Sequence, residues 1–325
     1  MESIGFNEFM KSKKYINLEF TKMHALGNDY IVFNELDSLV VPEELKGEFS
    51  NKICKRGFSV GADGVIFVQK PSKIEIDYDA DVRFRIFNSD GSEAEMCGNG
   101  IRCFSKYVHE RTDFKNNPLR VQSEGGLRIS EMEFDESNKD FVKNVRVYMG
   151  NPKYAMKDIP MAIENIAEDL EFMNLELPVN CECLKKIGKE ALKLSVANVG
   201  NPHAVIILQE NNLDVEFIRK NLNELGGYME CHPAFPEKIN VHFINLINEN
   251  EIQIITWERG AGYTTACGTG TTSSVAVCEK LSKTGCKVLA HLDGGDLEIE
   301  IVNNGNDVYM KGGAEISYDG ILKNL

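Results

Sequence analysis

Cysteine followed by Gly-x-Gly occurs twice in the chain, as Cys97-Gly98-Asn99-Gly100 and as Cys267-Gly268-Thr269-Gly270. Each copy stands directly before a run with helical spacing: Ile101, Cys103, Phe104, Tyr107 and Val108 after the first, and Val275, Val277, Cys278 and Leu281 after the second. One copy would say little. Two copies, one in each half, require a fold that builds the same cysteine-to-helix junction twice.

The surroundings of the two copies match as well. Asn28 of a Gly-Asn pair stands 69 residues before Cys97 (97 − 28), and Asn201 of a second pair stands 66 before Cys267 (267 − 201). Each half reads as strand, Gly-Asn turn, strand, helix, strands, a further asparagine (Asn88 or Asn240) and then Cys-Gly-x-Gly. The turn of the first half is expected at residues 27–29. Glu258-Arg259, ahead of a glycine loop, has no counterpart before Cys97.

With 325 residues, 42% of them hydrophobic, the chain has material for two domains with real cores. They are expected at 1–147 and 148–312, with residues 1–17 as an extension before the first strand. A net charge of −14 speaks against a nucleic-acid partner, and no apolar run reaches membrane-spanning length. Nine cysteines, an odd number, without a secretion signal indicate a reducing, cytoplasmic setting. Cys181-Glu182-Cys183 is too closely spaced for the usual zinc motifs and has no second cluster, so no metal is expected. The fingerprints of dinucleotide and nucleotide sites do not occur.

A thiol has a reference pKa near ~8.5, and a helix N-terminus lowers it. Two such thiols, backed by glycines that let backbone N–H groups approach a carboxylate, suit inversion of a stereocentre. One sulfur removes a Cα proton as thiolate while the other delivers a proton to the opposite face. Such a pair needs no cofactor, and its titrations are coupled. Arg259 would clamp a carboxylate and Glu258 would accept from an ammonium group. Other readings stay open. Asn28, Asn88, Asn201 and Asn240 are also ordinary turn residues. A nucleophilic cysteine would need a base such as His203, and His24 and His203 also fit structural roles. Cys54, Cys103, Cys181, Cys183, Cys231, Cys278 and Cys286 read as core or inert thiols.

The chain resembles the diaminopimelate epimerase family. The resemblance rests on the two cysteine motifs, on residues 20–30 (FTKMHALGNDY), 61–64 (GADG) and 84–93 (FRIFNSDGSE), and on Gly200-Asn201-Pro202-His203, residues 236–241 and Glu258-Arg259-Gly260-Ala261-Gly262. It spans the chain from Leu18 onward. It implies an α+β fold of two pseudo-symmetric domains, each a mostly antiparallel sheet or barrel around a central helix. The active site would lie in the interdomain cleft, and residues 313–325 would return to the first domain. It further implies interconversion of LL- and meso-2,6-diaminopimelate, without cofactor, in lysine and cell-wall precursor synthesis, by a homodimer. Cys97 and Cys267 match the catalytic pair. Asn28, Asn88, Gly98, Asn99, Asn201, Asn240, Glu258, Arg259, Gly268 and Thr269 match substrate-binding positions. Residues 56–59 and Tyr263 depart from the usual pattern at the rim. A racemase of another amino acid on the same scaffold, a redox-regulated thiol protein and an amino-acid-binding module are the competing functions.

Overall fold

The computed structural model describes residues 9, 17–72, 79–94, 96–164 and 166–323. Nearly all of the expected extension at 1–17, and Glu95 ahead of the first cysteine motif, lie outside the described residues. The chain divides into two compact units, Met1–Val147 with Gly312–Leu325, and Tyr148–Lys311.

The first unit opens with a hairpin of β1 (Leu18–Ala25) and β2 (Asn28–Asn34). Its turn is Leu26-Gly27, both at positive φ (55° and 91°), the geometry that follows the twist of a two-residue hairpin. The turn therefore falls earlier than the sequence suggested. Asn28 and Asp29 already pair with Ala25 and His24. The connection through α1 (Lys46–Ile53) leads to β3 (Gly64–Gln69), parallel to β2. Then β4 (Val82–Asn88) and β5 (Glu93–Ala94) each run antiparallel to the strand before. A crossover through α2 (Gly98–Arg111) reaches β6 (Leu119–Ser123), parallel to β4. Antiparallel strands β7 (Gly126–Phe134) and β8 (Val142–Gly150) follow.

The second unit begins with β9 (Leu175–Pro178) and the short helix α3 (Glu182–Lys185), then uses the same plan. Strands β10 (Ala191–Asn198) and β11 (Pro202–Ile207) are antiparallel. Helix α4 (Val215–Glu230) leads to β12 (Asn240–Asn248), parallel to β11. Strands β13 (Glu251–Glu258) and β14 (Gly262–Thr264) continue antiparallel. Helix α5 (Gly268–Lys280) crosses to β15 (Lys287–Leu292), parallel to β13, before the antiparallel β16 (Gly295–Val302) and β17 (Asp307–Gly312). The last strand, β18 (Glu315–Leu322), belongs to the first unit and pairs antiparallel with β1. The α+β architecture with mostly antiparallel ladders is the one expected. Parallel pairing occurs where a helix makes the crossover, since parallel neighbours need a long connection.

Each unit wraps its sheet around a central helix, and that helix is buried more completely than its pattern implied. Every residue of α2 from Gly98 to His109 is buried, as is every residue of α5 from Gly268 to Cys278. Several of their polar side chains find partners, which makes such burial tolerable, while His109 Nδ1 and Ser273 Oγ have no hydrogen-bond partner among the described residues. In α2, Lys106 donates to Val142 O at 2.6 Å and pairs with Glu110 at 3.0 Å, and Arg102 donates to Gly313 O at 3.2 Å. In α5, Thr271, Thr272 and Ser274 donate to carbonyls four residues back at 2.8, 2.8 and 2.7 Å.

A third buried cation fixes α1. Lys46 and Glu35 have fully buried side chains and pair at 3.0 Å; Lys46 also donates to Val41 O at 2.6 Å. Lys46→Met, which leaves the buried Glu35 carboxylate its bonds from Val40 N, Val41 N and Gln69 but removes its counter-charge, is expected to cost about 3–5 kcal/mol. Adding Glu35→Gln, which removes the charge and keeps an acceptor for Val40 N and Val41 N, should restore part of that. The check is the denaturant midpoint of both proteins, and equal midpoints would show that the pair does not act as a pair.

Candidate active site

In the first unit Cys97 is the N-cap of α2. Its backbone is extended (φ −144°, ψ 111°), and its Sγ accepts from Gly100 N at 3.3 Å. A Cβ on Gly100 would lie 3.0 Å from Ile86 Cδ1 and 3.3 Å from Phe84 Cζ, so the small residue lets the helix start seat against β4. The Tyr30 hydroxyl lies 3.1 Å from Cys97 Sγ. Burial, with the nearby Cys97 sulfur adding to it, pushes Tyr30 well above its usual range, so it keeps its proton and can donate to the sulfur. Asn99 Nδ2 donates to Asn28 Oδ1 at 2.7 Å. Tyr30, Gly64 and Asn88 stand in one row across β2, β3 and β4. Asn88 is exposed, and its Nδ2 donates to Ser92 Oγ at 3.0 Å.

Behind Asn28 lies an ionic cluster. Arg56 pairs with Asp29 and with Asp63, the latter at 2.9 Å, while Lys22 pairs with Asp29 at 2.7 Å. Burial alone would raise the Asp29 carboxyl; hydrogen bonds from Arg56 and Lys22 outweigh it and hold the group below its ordinary value.

In the second unit Cys267 caps α5 in the same way (φ −129°, ψ 110°), with Sγ accepting from Gly270 N at 3.3 Å. The Thr269 hydroxyl lies 3.6 Å from the sulfur. A Cβ on Gly270 would sit 2.0 Å from His242 Cε1, a position closed to any side chain. Burial, reinforced by the Glu258 carboxylate, pushes the Cys267 thiol well above its usual range, although the Thr269 and Gly270 donors pull the other way. The helix start therefore does not win at this cysteine, contrary to what its position in the sequence implied. Cys267 rests as a thiol.

His203 is fully buried, with Nε2 2.7 Å from Asn201 Oδ1 and Nδ1 2.9 Å from His242 Nε2. His242 Nδ1 in turn lies 3.2 Å from Thr256 Oγ1. Burial first, then the positive charges of neighbouring groups, hold His203 well below the usual imidazole range; burial takes His242 down to about 3. Both rings are neutral, and both nitrogens of each are engaged. His203 is thus poorly placed to act as base for a nucleophilic cysteine. Asn240 Oδ1 accepts from Arg259 N at 3.0 Å, and its Nδ2 donates to Pro202 O at 2.9 Å. One asparagine so ties the Asn201 loop to the Glu258-Arg259 loop. Glu258 accepts from Thr264 at 2.5 Å, and Arg259 donates to Glu237 O at 3.0 Å.

A family profile described as diaminopimelate epimerase matches residues 20–155 and 195–317. The chain belongs to the diaminopimelate epimerase family. The diaminopimelate epimerase of Methanocaldococcus jannaschii is 62% identical over 308 residues, covering 95% of this chain and 99% of that one. The diaminopimelate epimerase of Methanococcus aeolicus is 60% identical, with 94% and 99% covered. Among solved structures, a PhzF-family phenazine biosynthesis protein of Bacillus anthracis shares the fold with a TM-score of 0.66 at 15% identity, covering 94% of this chain and 99% of that one. A hydroxyproline epimerase of Agrobacterium vitis does so at 0.62 and 14%, covering 94% and 91%. The resemblance read from the motifs is borne out, and the protein is an isomerase.

Within the family framework the structure brings Asn28 to Asn99 in one unit, and Asn201, Asn240 and Arg259 together in the other. It also adds Tyr30 and Glu230, which the motifs did not single out, and places His203, which the sequence offers as a base or a structural residue. Tyr30 and His203 each stand two positions after the asparagine of a Gly-Asn pair, and each lies beside its unit's cysteine. That shared offset was a usable signal. Glu230 had none: it accepts from Trp257 Nε1 at 2.8 Å and Gly260 N at 3.1 Å, holding the Arg259 loop from a helix.

The resting state of Cys267 can be read by alkylation with iodoacetamide in a Cys97→Ser protein, followed by peptide mass analysis. Because a negative neighbour raises a thiol's pKa, Glu258→Gln should bring its onset of labelling to lower pH. An unshifted onset would remove Glu258 as a cause.

Proposed function

We propose that this protein interconverts LL- and meso-2,6-diaminopimelate by proton transfer between substrate Cα and two sulfurs, those of Cys97 and Cys267. The observation that carries the reading is the duplicated cap: in each unit a cysteine sulfur sits at the first turn of a buried helix, 3.3 Å from the amide three residues on. A reaction that must work in both directions needs two near-equivalent groups.

Cys267, held as thiol, is the acid. Cys97, whose sulfur has the Gly100 amide and the Tyr30 hydroxyl to stabilise negative charge, is the base. The Cα–H bond breaks with its proton going to one sulfur, the pair stays on Cα, and the other sulfur's proton forms the new bond on the opposite face. The two sulfurs exchange states, and the reverse reaction runs from there. The first-turn amides of Gly98-Asn99 and Gly268-Thr269, which lack partners within the helix, bind the reacting α-carboxylate and stabilise the carbanion-like state. Asn28 and Asn201 orient that end. Asn88, Asn240, Glu258 and Arg259 grip the distal amino-acid group, with Arg259 on its carboxylate and Glu258 on its ammonium. The two sulfurs supply the chemistry, so the reading includes no cofactor. It places the reaction in lysine and cell-wall precursor synthesis, in the cytoplasm, by a homodimer, which light scattering can test.

The experiment is deuterium uptake at Cα of LL-diaminopimelate, in reductant and without added cofactor. Cys97→Ser and Cys267→Ser should each lower the rate of epimerisation by at least about 10²-fold, the lower end of general acid–base catalysis. Arg259→Lys should raise KM more than it lowers kcat. Exchange with a monocarboxylate amino acid but not with diaminopimelate would replace the substrate by another amino acid. Full epimerisation by either serine variant would refute the two-sulfur mechanism.

A further inference from the structure

Cys181-Glu182-Cys183, set aside in the sequence for want of a second cluster, gains a partner in the fold. The two sulfurs lie 3.2 Å apart, and Glu224 Oε1 lies 3.3 Å from Cys181 Sγ. Glu224 is 41 residues away in sequence, on α4, which is why spacing alone could not pair it. The same oxygen accepts from Cys183 N at 2.7 Å, which fixes the carboxylate's orientation. The three candidate ligand atoms lie within 4.8 Å of one another. Both cysteines are buried, at 3% and 2% exposure, in the core that includes Leu184, Leu225 and Met229, whereas Glu224 is exposed.

We propose that Cys181, Cys183 and Glu224 form a binding site for a thiophilic divalent cation of the zinc and cadmium class, separate from the epimerase chemistry. Two sulfurs and one oxygen are a borderline-soft donor set. Zinc–sulfur bonds of about 2.3 Å at a tetrahedral angle put two sulfurs about 3.8 Å apart, so the pair must open by roughly half an ångström. Both thiols release their protons to solvent as the metal–sulfur bonds form, giving a bis-thiolate. The cation enters on the exposed Glu224 side, where water completes four-coordination. The Cys183 amide first, then the Cys181 thiol and the charge of Lys186, favour ionised Glu224. Bound metal would staple the start of α3 to α4, the helix whose last residue, Glu230, holds Trp257 and Gly260.

The test uses the full chain carrying Cys267→Ser. That substitution removes the sulfur from the other His/Cys group of this kind among the described residues, His203–His242–Cys267. Cadmium is titrated in a phosphine reductant. One equivalent should bind, with an ultraviolet thiolate-to-cadmium band and a raised Tm. Adding Cys181→Ser and Cys183→Ser should abolish band and shift. Glu224→Gln, at an exposed position that does not threaten folding, should keep a band but weaken binding about tenfold or more. A parent protein without the band, a band surviving loss of both cysteines, or unchanged affinity in Glu224→Gln would each overturn the site. So would a Cys181–Cys183 disulfide that persists in reductant and leaves no thiolate to bind.

Discussion

The hydrogen bond from a backbone amide to a cysteine sulfur at the first turn of a buried helix is the constraint on which each unit is built. It sets where α2 and α5 begin, and it leaves the amides of the first turn pointing at whatever lies beyond the sulfur. The short strands β5 and β14 exist to deliver the chain to that point, each pairing antiparallel with the long strand before it. The glycines are required by what packs against the turn, which differs between units: Ile86 and Phe84 in one, the His242 ring in the other. The same backbone device is thus supported by an apolar wall once and by a polar one once.

That difference in support makes two like cysteines unlike. At both, helix amides favour negative charge on sulfur, an effect typically worth about 0.3–1 kcal/mol and up to ~2 in partly buried geometries. Full burial disfavours the same charge by up to about 3–5 pKa units, at 1.36 kcal/mol per unit. At Cys267, 6% exposed and next to Glu258, the second effect is larger and the sulfur keeps its proton. At Cys97, partly exposed, a tyrosine hydroxyl stands at 3.1 Å where the other unit has a pair of neutral histidines. Pseudo-symmetry in the backbone therefore coexists with unlike surroundings for the two sulfurs.

Much of this was legible in the sequence because it is written locally. Cys-Gly-x-Gly, the Gly-Asn pairs and the further asparagines Asn88 and Asn240 are short-range patterns, and they carried the order of elements and the duplication. The hairpin turn was misplaced because Leu26, a residue that rarely takes positive φ, forms it with Gly27, while Asn28 and Asp29, good turn residues, enter the strand instead. The full burial of α2 was hidden because Arg102 and Lys106 look solvent-facing until Gly313 and Val142 supply acceptors from distant segments. Glu230, His242 and Glu224 act through partners 14 to 43 residues away, and no spacing rule links those positions.

In the proposed mechanism Glu258 would join recognition to proton transfer within the second unit. Its carboxylate is among the causes that keep Cys267 protonated, second only to burial. It is also the group proposed to receive the substrate's distal ammonium. A cation brought to that carboxylate offsets its field at the sulfur, and two charges 4 Å apart at an effective dielectric of 20 interact by about 4 kcal/mol before that offset. On that proposal, binding the correct distal group would make Cys267 a stronger acid, whereas a substrate without it would leave the thiol as reluctant as before. Specificity for an amino acid with a second charged end then lies in the chemical step as well as in affinity. It needs no moving part beyond one carboxylate held by Thr264.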